Sequence, residues 1–297
     1  MGLLNALPGA VAQGIIWGIM AIGVYITYKL LDIADLTVDG SICTGACVCT
    51  MLVISGVNIW IAMLAALIAG MLTGLLTGVF HTFMGIPAIL AGILTQLILW
   101  SVNLKILGSK ANQGISARTF DVVITQLERW RAIIVLLLFS VAIIALLYWF
   151  FGTELGCSIR ATGCNLNMSH AQGINTNLNK ILGLVISNGI VALSGALLCQ
   201  YQGFADINMG RGAIVIGLAA VIIGEAIFGR LSQNFAVRLA GVIGGGIIYY
   251  AVYQTVIWIG LDTDLLKMLS ALVVAVFLAV PYWKTKIFSR PRKKGGK

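Results

Sequence analysis

GTELGCSIRATGCNLNMSHAQGINTNLNK, residues 152–180, is the one long polar interruption late in the chain, and strongly apolar runs flank it at 132–151 and 181–199. Those flanks decide the fold. Each has about the 20 residues that an α-helix rising about 1.5 Å per residue needs to cross a hydrocarbon core of about 30 Å. Neither alternates as a barrel strand must, and inside lipid only helices and closed barrels satisfy every backbone group. The interruption is itself ordered. A flexible linker carries Ser, Gly and charge without pattern, whereas here Gly156, Arg160, Ala161, Gly163, Asn165 and Gly173-Ile174 are spaced around a short amphipathic turn.

Seven more apolar runs lie outward of this pair, at 8–28, 41–57, 59–80, 86–100, 213–228, 237–259 and 265–282. Hydrophobic residues make up 60% of the 297, mean hydropathy is +1.01 and 10% are charged, against about 25% charged in a soluble domain. The expected fold class is all-α, a polytopic transmembrane helical bundle of about eight to ten spans. It forms a single domain over residues 1–297, with no room for a folded soluble one. The run at 8–28 is too long and too poor in basic flanks for a cleaved signal peptide, so it is expected to remain as a span.

The formal net charge of +9 is mostly local. Lys284, Lys286, Arg290, Arg292, Lys293, Lys294 and Lys297 crowd residues 284–297, where a basic cytoplasmic tail facing anionic lipid explains them without nucleic acid. Four runs separate this tail from residues 152–180, so both are expected on the cytoplasmic side, and odd parity places the N-terminus outside. Lys105, Lys110, Arg118, Arg129 and Arg131 then fall on the outer face, which leaves the positive-inside argument resting on the tail.

Enzyme chemistry finds no constellation. There is no G-x4-G-K-[ST] phosphate loop, no HExxH helix and no serine elbow, and His81 and His170 are the only histidines. Catalytic and metal-binding residues are therefore expected to be absent. Cys43, Cys47, Cys49, Cys157, Cys164 and Cys199 lack both disulfide and zinc spacing and read as reduced packing residues. Gly70, Gly74 and Gly78, and Gly241 with Gly244 to Gly246, read as close-packing stripes, and most tryptophans as an interfacial belt.

The segment LDIADLTVDGS, 31–41, is the best polar break within the apolar sequence. Asp35, Thr37, Asp39 and Ser41 are candidates to line a substrate path, while Asp39 and Ser41 serve equally as caps for the amides of the helix that follows. Asp206 to Gly210 echoes this acid-to-glycine pattern before the run at 213–228, as an internal repeat would, and adds Asn208 to the candidates. Glu225, among Ile222, Ile223, Ala226 and Ile227, either binds solute or pairs with Arg211 or Arg230.

The pattern Gly156-x3-Arg160-Ala161-x3-Asn165, followed by Gly173-Ile174, resembles the cytoplasmic coupling loop of ABC importer permeases of the branched-chain amino acid and ribose type. DLTVDGS and Gly210-Arg211-Gly212 with Ile222-Ile223-Gly224-Glu225 resemble other elements of that family; Glu225 in place of a second glycine is similar to the tryptophan and hydrophobic amino acid importers. The resemblance implies a partner ABC ATPase, which binds ATP and Mg, docking on Glu154, Gly156, Arg160, Ala161, Gly163, Asn165, Gly173 and Ile174. No cofactor is implied in this chain. Further implied partners are an extracytoplasmic substrate-binding lipoprotein and a second permease copy, in a bacterial cytoplasmic membrane. The implied solute is a hydrophobic or aromatic amino acid, with sugars or nucleosides as the alternative. A different class, an ion-coupled carrier, would use Asp35, Asp39 or Glu225.

Overall fold

A computed structural model describes residues 3–115, 119–229 and 234–258, together with positions 268, 271, 272, 275, 276 and 279. The expected span at 265–282 and the tail at 284–297 lie outside the described residues as whole elements. Each of the other eight apolar runs is a helix: α1 Leu3–Tyr25, α2 Val38–Ile54, α3 Ile59–Thr82, α4 Ala88–Ile106, α5 Arg129–Phe151, α8 Thr176–Gln202, α9 Ala213–Phe228 and α10 Phe235–Trp258. Residues 152–180 hold two short helices, α6 Glu154–Cys164 and α7 Leu166–Ala171, where a single amphipathic turn was expected. The all-α reading holds, apart from a small antiparallel pair of strands, β1 Asn112–Gly114 with β2 Phe204–Asp206.

Six of these helices are long and apolar enough to cross a membrane; α2 and α9, at 17 and 16 residues, are shorter. At about 1.5 Å per residue the two short ones reach only about 25 Å, less than the hydrocarbon core. α1 and α8 are the most enclosed elements, and α3, α4 and α5 turn most of their surface outward. Trp60, Trp100, Trp130, Trp149 and Trp258 are exposed as a belt requires, whereas Trp17 is buried and stacks on Tyr250 at 6.0 Å.

Close contacts along the 27-residue α8 set the direction of its neighbours. A Cβ added at Gly70, Gly74 or Gly78 of α3 would strike Asn188, Leu184 or Ile181 respectively, so α3 runs antiparallel to α8 with its backbone pressed against it. Gly45 of α2 packs on Ala192 and Gly195 on Ile42, and because Ser41 meets Asn188 while Cys49 meets Gln200, α2 runs parallel to α8. Helices in lipid gain little from apolar burial against one another, and small residues that admit close backbone approach supply the packing instead. The glycine stripes therefore do what their spacing predicts. Of the described helices, α1, α3, α5 and α9 run toward the face that carries α6 and α7, and α2, α4, α8 and α10 run toward the face that carries the strands.

Candidate functional site

α2 and α9 both start inside the bundle. α1 ends in a widened π-helical turn, Ile26–Leu30, at the α6–α7 face. The chain then turns back without helical structure, and Asp35 reaches Asn188 at the midpoint of α8 before α2 begins. From the other face, α8 ends at Gly203, whose φ of +80° is open to glycine at low cost. β2 and residues 207–212 descend from there to α9. Gly210 packs on the Asp39 carbonyl and Cys43, and Gly212, at φ +85°, precedes the first turn. The two broken spans thus run in opposite directions and their N-termini meet near mid-depth. The echo between residues 35–40 and 206–210 marks these two breaks.

Asp39 is a cap, but of a different helix from the one expected. Its Oδ2 accepts from the Gly212 amide at 3.0 Å and its Oδ1 from the Ile214 amide at 2.9 Å, so it closes the N-terminus of α9 and not that of α2. A carboxylate suits the positive end of a helix dipole, and the short α9 has no side-chain cap in its own sequence because Gly212 stands there. Cys43 supports the same junction, accepting from the Gly210 amide at 3.1 Å and donating to the Ile207 carbonyl at 3.4 Å. Asn208 does not join it; the residue is exposed and its backbone amide bonds the Asp206 carboxyl at 2.6 Å.

Asp35, Thr37 and Ser41 are fully enclosed in a hydrogen-bonded cluster. Asn188 Nδ2 donates to Asp35 Oδ2 at 2.7 Å, and Ser41 Oγ donates to Asn188 Oδ1 at 2.6 Å. Asp35 Oδ1 accepts the Thr37 amide at 2.9 Å. Hydroxyl contacts extend the cluster from Ser41 to Thr73 at 2.7 Å, from Thr37 to Thr77 at 2.7 Å and from Thr77 to Thr95 at 2.9 Å. It ties the α2 break to α3, α4 and α8. Every side chain named in it is satisfied, so the cluster holds the break in shape and leaves no side chain free for solute. Asn188 was missed from sequence; its signal was a lone amide in the middle of the apolar run at 181–199.

Among the described residues Glu225 pairs with Lys29 and not with Arg211; Arg230 lies outside them. The end of α9 lies beside the end of α1, and Lys29 Nζ approaches Glu225 Oε2 at 3.1 Å with both side chains partly exposed. Exposed pairs contribute roughly 0–1 kcal/mol. Lys29→Gln is therefore expected to lower stability by less than about 1 kcal/mol, as measured by thermal unfolding in detergent.

The α6–α7 element is clamped to the bundle by the ordered residues of its motif. Gly156 is buried beneath Phe150 and Phe151 at the end of α5, and a Cβ at Gly163 would overlap the Leu30 carbonyl at the end of α1. Arg160 places its guanidinium 5.8 Å from the Phe235 ring centroid and donates to the Phe151 carbonyl at 3.5 Å, bridging α5 and α10. Asn165 caps α7 through the Met168 amide at 3.0 Å, and Gly173, at φ +78°, ends α7. Asn179 of α8 donates to Ser158 at 2.7 Å and to Thr162 at 2.9 Å. The motif thus shapes the element, and its outward surface includes Glu154, Leu155, Cys157, Leu166 and Met168 beside the exposed Arg160 and Asn165. Leu155 and Met168 are 54% and 59% exposed, an apolar offer on an otherwise polar face.

Among the described residues no group of three or more His, Cys, Asp or Glu could hold a metal, and all six cysteines are free thiols.

These features define a multi-pass helical membrane protein with two spans broken at mid-depth and a rigid two-helix element projecting from one face. Residues 7–280 match the family described as branched-chain amino acid transport system / permease component, and the chain belongs to that family. It is a transport-system permease. It is 37% identical over 278 residues to the tyrosine transport system permease protein of Clostridioides difficile (strain R20291), covering 93% of this chain and 91% of that one. An uncharacterized protein of Rickettsia prowazekii (strain Madrid E) is 34% identical, over 93% of this chain and 98% of its own. Among solved structures, PsaBC from Streptococcus pneumoniae in complex with Fab aligns with a TM-score of 0.49 at 15% identity, over 99% of this chain and 94% of that one.

Proposed function

We propose that this chain is the permease subunit of an ATP-driven importer of amino acids, in a bacterial cytoplasmic membrane. In this reading two copies form the path, a separate ATPase that binds ATP and Mg docks on α6 and α7, and an extracytoplasmic binding protein delivers solute to the strand face. The observation that carries it is the α6–α7 element, because Gly156, Ser158, Arg160, Thr162 and Gly163 tie it to α1, α5, α8 and α10 while apolar residues point away from the bundle. A lever needs that combination of rigid attachment and free surface. The name of the Clostridioides difficile relative favours an aromatic amino acid, tyrosine or tryptophan, over sugars and nucleosides. The ion-coupled alternative is disfavoured because Asp35 is enclosed and engaged by Asn188 and Glu225 is engaged by Lys29.

The test is ATP-driven uptake in proteoliposomes holding permease, ATPase and binding protein. The Arg160→Ala/Gly173→Val double variant is expected to insert normally and to lose uptake by about tenfold, or roughly 1.4 kcal/mol of coupling. Undiminished uptake by that variant, or gradient-driven uptake by the permease alone, would refute the assignment.

A further inference from the structure

Beside the junction of the two broken spans lies a cavity of about 250 Å3, between α2, α4 and the descending segment 207–212. Its polar groups are Asp39, Gln96, Asn103 and Arg211, and its apolar wall includes Leu97 and Trp100. Asn103 is 1% exposed, yet its Oδ1 has no hydrogen-bond partner. A buried acceptor left unpaired carries its full desolvation cost, so an amide oxygen held unpaired against a cavity marks a place for a donor that arrives from outside. Arg211 makes no side-chain hydrogen bond or ion pair with any described residue. Asp39 accepts from the Gly212 and Ile214 amides, with the Ala213 amide beside them, and a carboxylate has about four acceptor positions.

We propose that this cavity is a solute subsite within the permease, taking one apolar or aromatic amino acid by both ends of its zwitterion. The solute carboxylate meets the Arg211 guanidinium, in the fork geometry that suits it. The ammonium donates to Asn103 Oδ1 and Asp39, and the side chain lies along Trp100 and Leu97. The set of groups selects this class. One cation, one anion and one orphan acceptor match an amino acid, whereas a sugar needs several paired hydroxyl partners. The volume sits below the roughly 300–1,000 Å3 of drug-sized sites, which suits a single small solute. The inference rests on the importer reading for its solute and adds that specificity is read a second time inside the membrane.

Equilibrium binding of radiolabelled L-tyrosine to the purified permease in nanodiscs, with no ATPase and no binding protein, tests it. Saturable binding is expected. Tyramine, which lacks the carboxylate, and 3-(4-hydroxyphenyl)propionate, which lacks the amine, should each compete at least about tenfold worse, an arm that needs no mutation. Asn103→Leu and Arg211→Gln should each weaken tyrosine by about tenfold, with Arg211→Gln leaving tyramine within about twofold, a selectivity change that loss of structure does not produce. Absence of saturable binding, equal competition by the analogues or by ribose, or wild-type affinity in both variants would overturn the subsite. The two readings separate cleanly: ATP-driven uptake by the complete wild-type system without such binding removes the subsite and keeps the importer. Binding without ATP-driven uptake does the reverse.

Discussion

Asn188→Leu is expected to destabilise the permease by about 3 kcal/mol or more, the largest effect of any single side-chain change at the core of the bundle. The substitution takes from Asp35 Oδ2 its amide donor and from Ser41 its acceptor, while leaving Asp35 enclosed between helices. Ser41 retains Thr73, but Asp35 is left with Thr37 alone. Removing one partner of a buried polar pair exposes the full desolvation cost of the other, whereas removing both with apolar groups of similar shape can be nearly neutral. The double variant Asp35→Leu/Asn188→Leu should therefore recover most of the loss. Thermal unfolding of the four proteins of this cycle in one detergent measures the coupling. Additive losses would show that the two residues do not act on each other.

The second large effect is expected at the base of the projecting element. Gly163→Val puts a branched side chain where a Cβ already overlaps the Leu30 carbonyl, so α6 must lift from the end of α1. The separation removes the shortest route from α6 to the α2 break, since Leu31 and the segment leading to Asp35 follow directly from that contact. ATP hydrolysis stimulated by the loaded binding protein should persist, while solute moved per ATP falls by about tenfold. Asn179→Ala, which cuts the bonds from α8 to Ser158 and Thr162 and adds no bulk, should give a smaller loss in the same direction. Proteoliposome assays that count phosphate released and solute taken up measure both. Hydrolysis and uptake falling together would instead mean that the ATPase no longer binds, and the route through Leu30 would have no support.

Much of the architecture was legible in the chain because hydropathy reports transfer into lipid residue by residue. Eight of the nine apolar runs became helices at nearly the expected places, and the polar stretch after α5 became the projecting element. Boundaries moved beyond the apolar runs: α4 continues past residue 100 to Ile106 and encloses Asn103. The site was less legible. Asp39 was expected to cap the helix that follows it, but it caps α9, 173 residues away, and local capping rules look only a few residues ahead. Of the arginine partners expected for Glu225, Arg211 lies at the opposite end of α9 and Arg230 lies outside the described residues, whereas the parallel course of α1 and α9 brings Lys29. Asn188, Asn103 and Asn179 drew no attention, because a single amide in an apolar run carries no periodic signal.

Composition and pattern alone determined that this chain lies in a membrane and that it is helical, because both follow from the transfer energies of residues taken one at a time. The tertiary structure decided that α2 and α9 start at mid-depth, that Asp39 closes α9, and that Asp35, Asn188 and the surrounding hydroxyls satisfy one another. Those outcomes depend on which polar groups meet once water is excluded, and glycine contacts between helices far apart in sequence set that meeting.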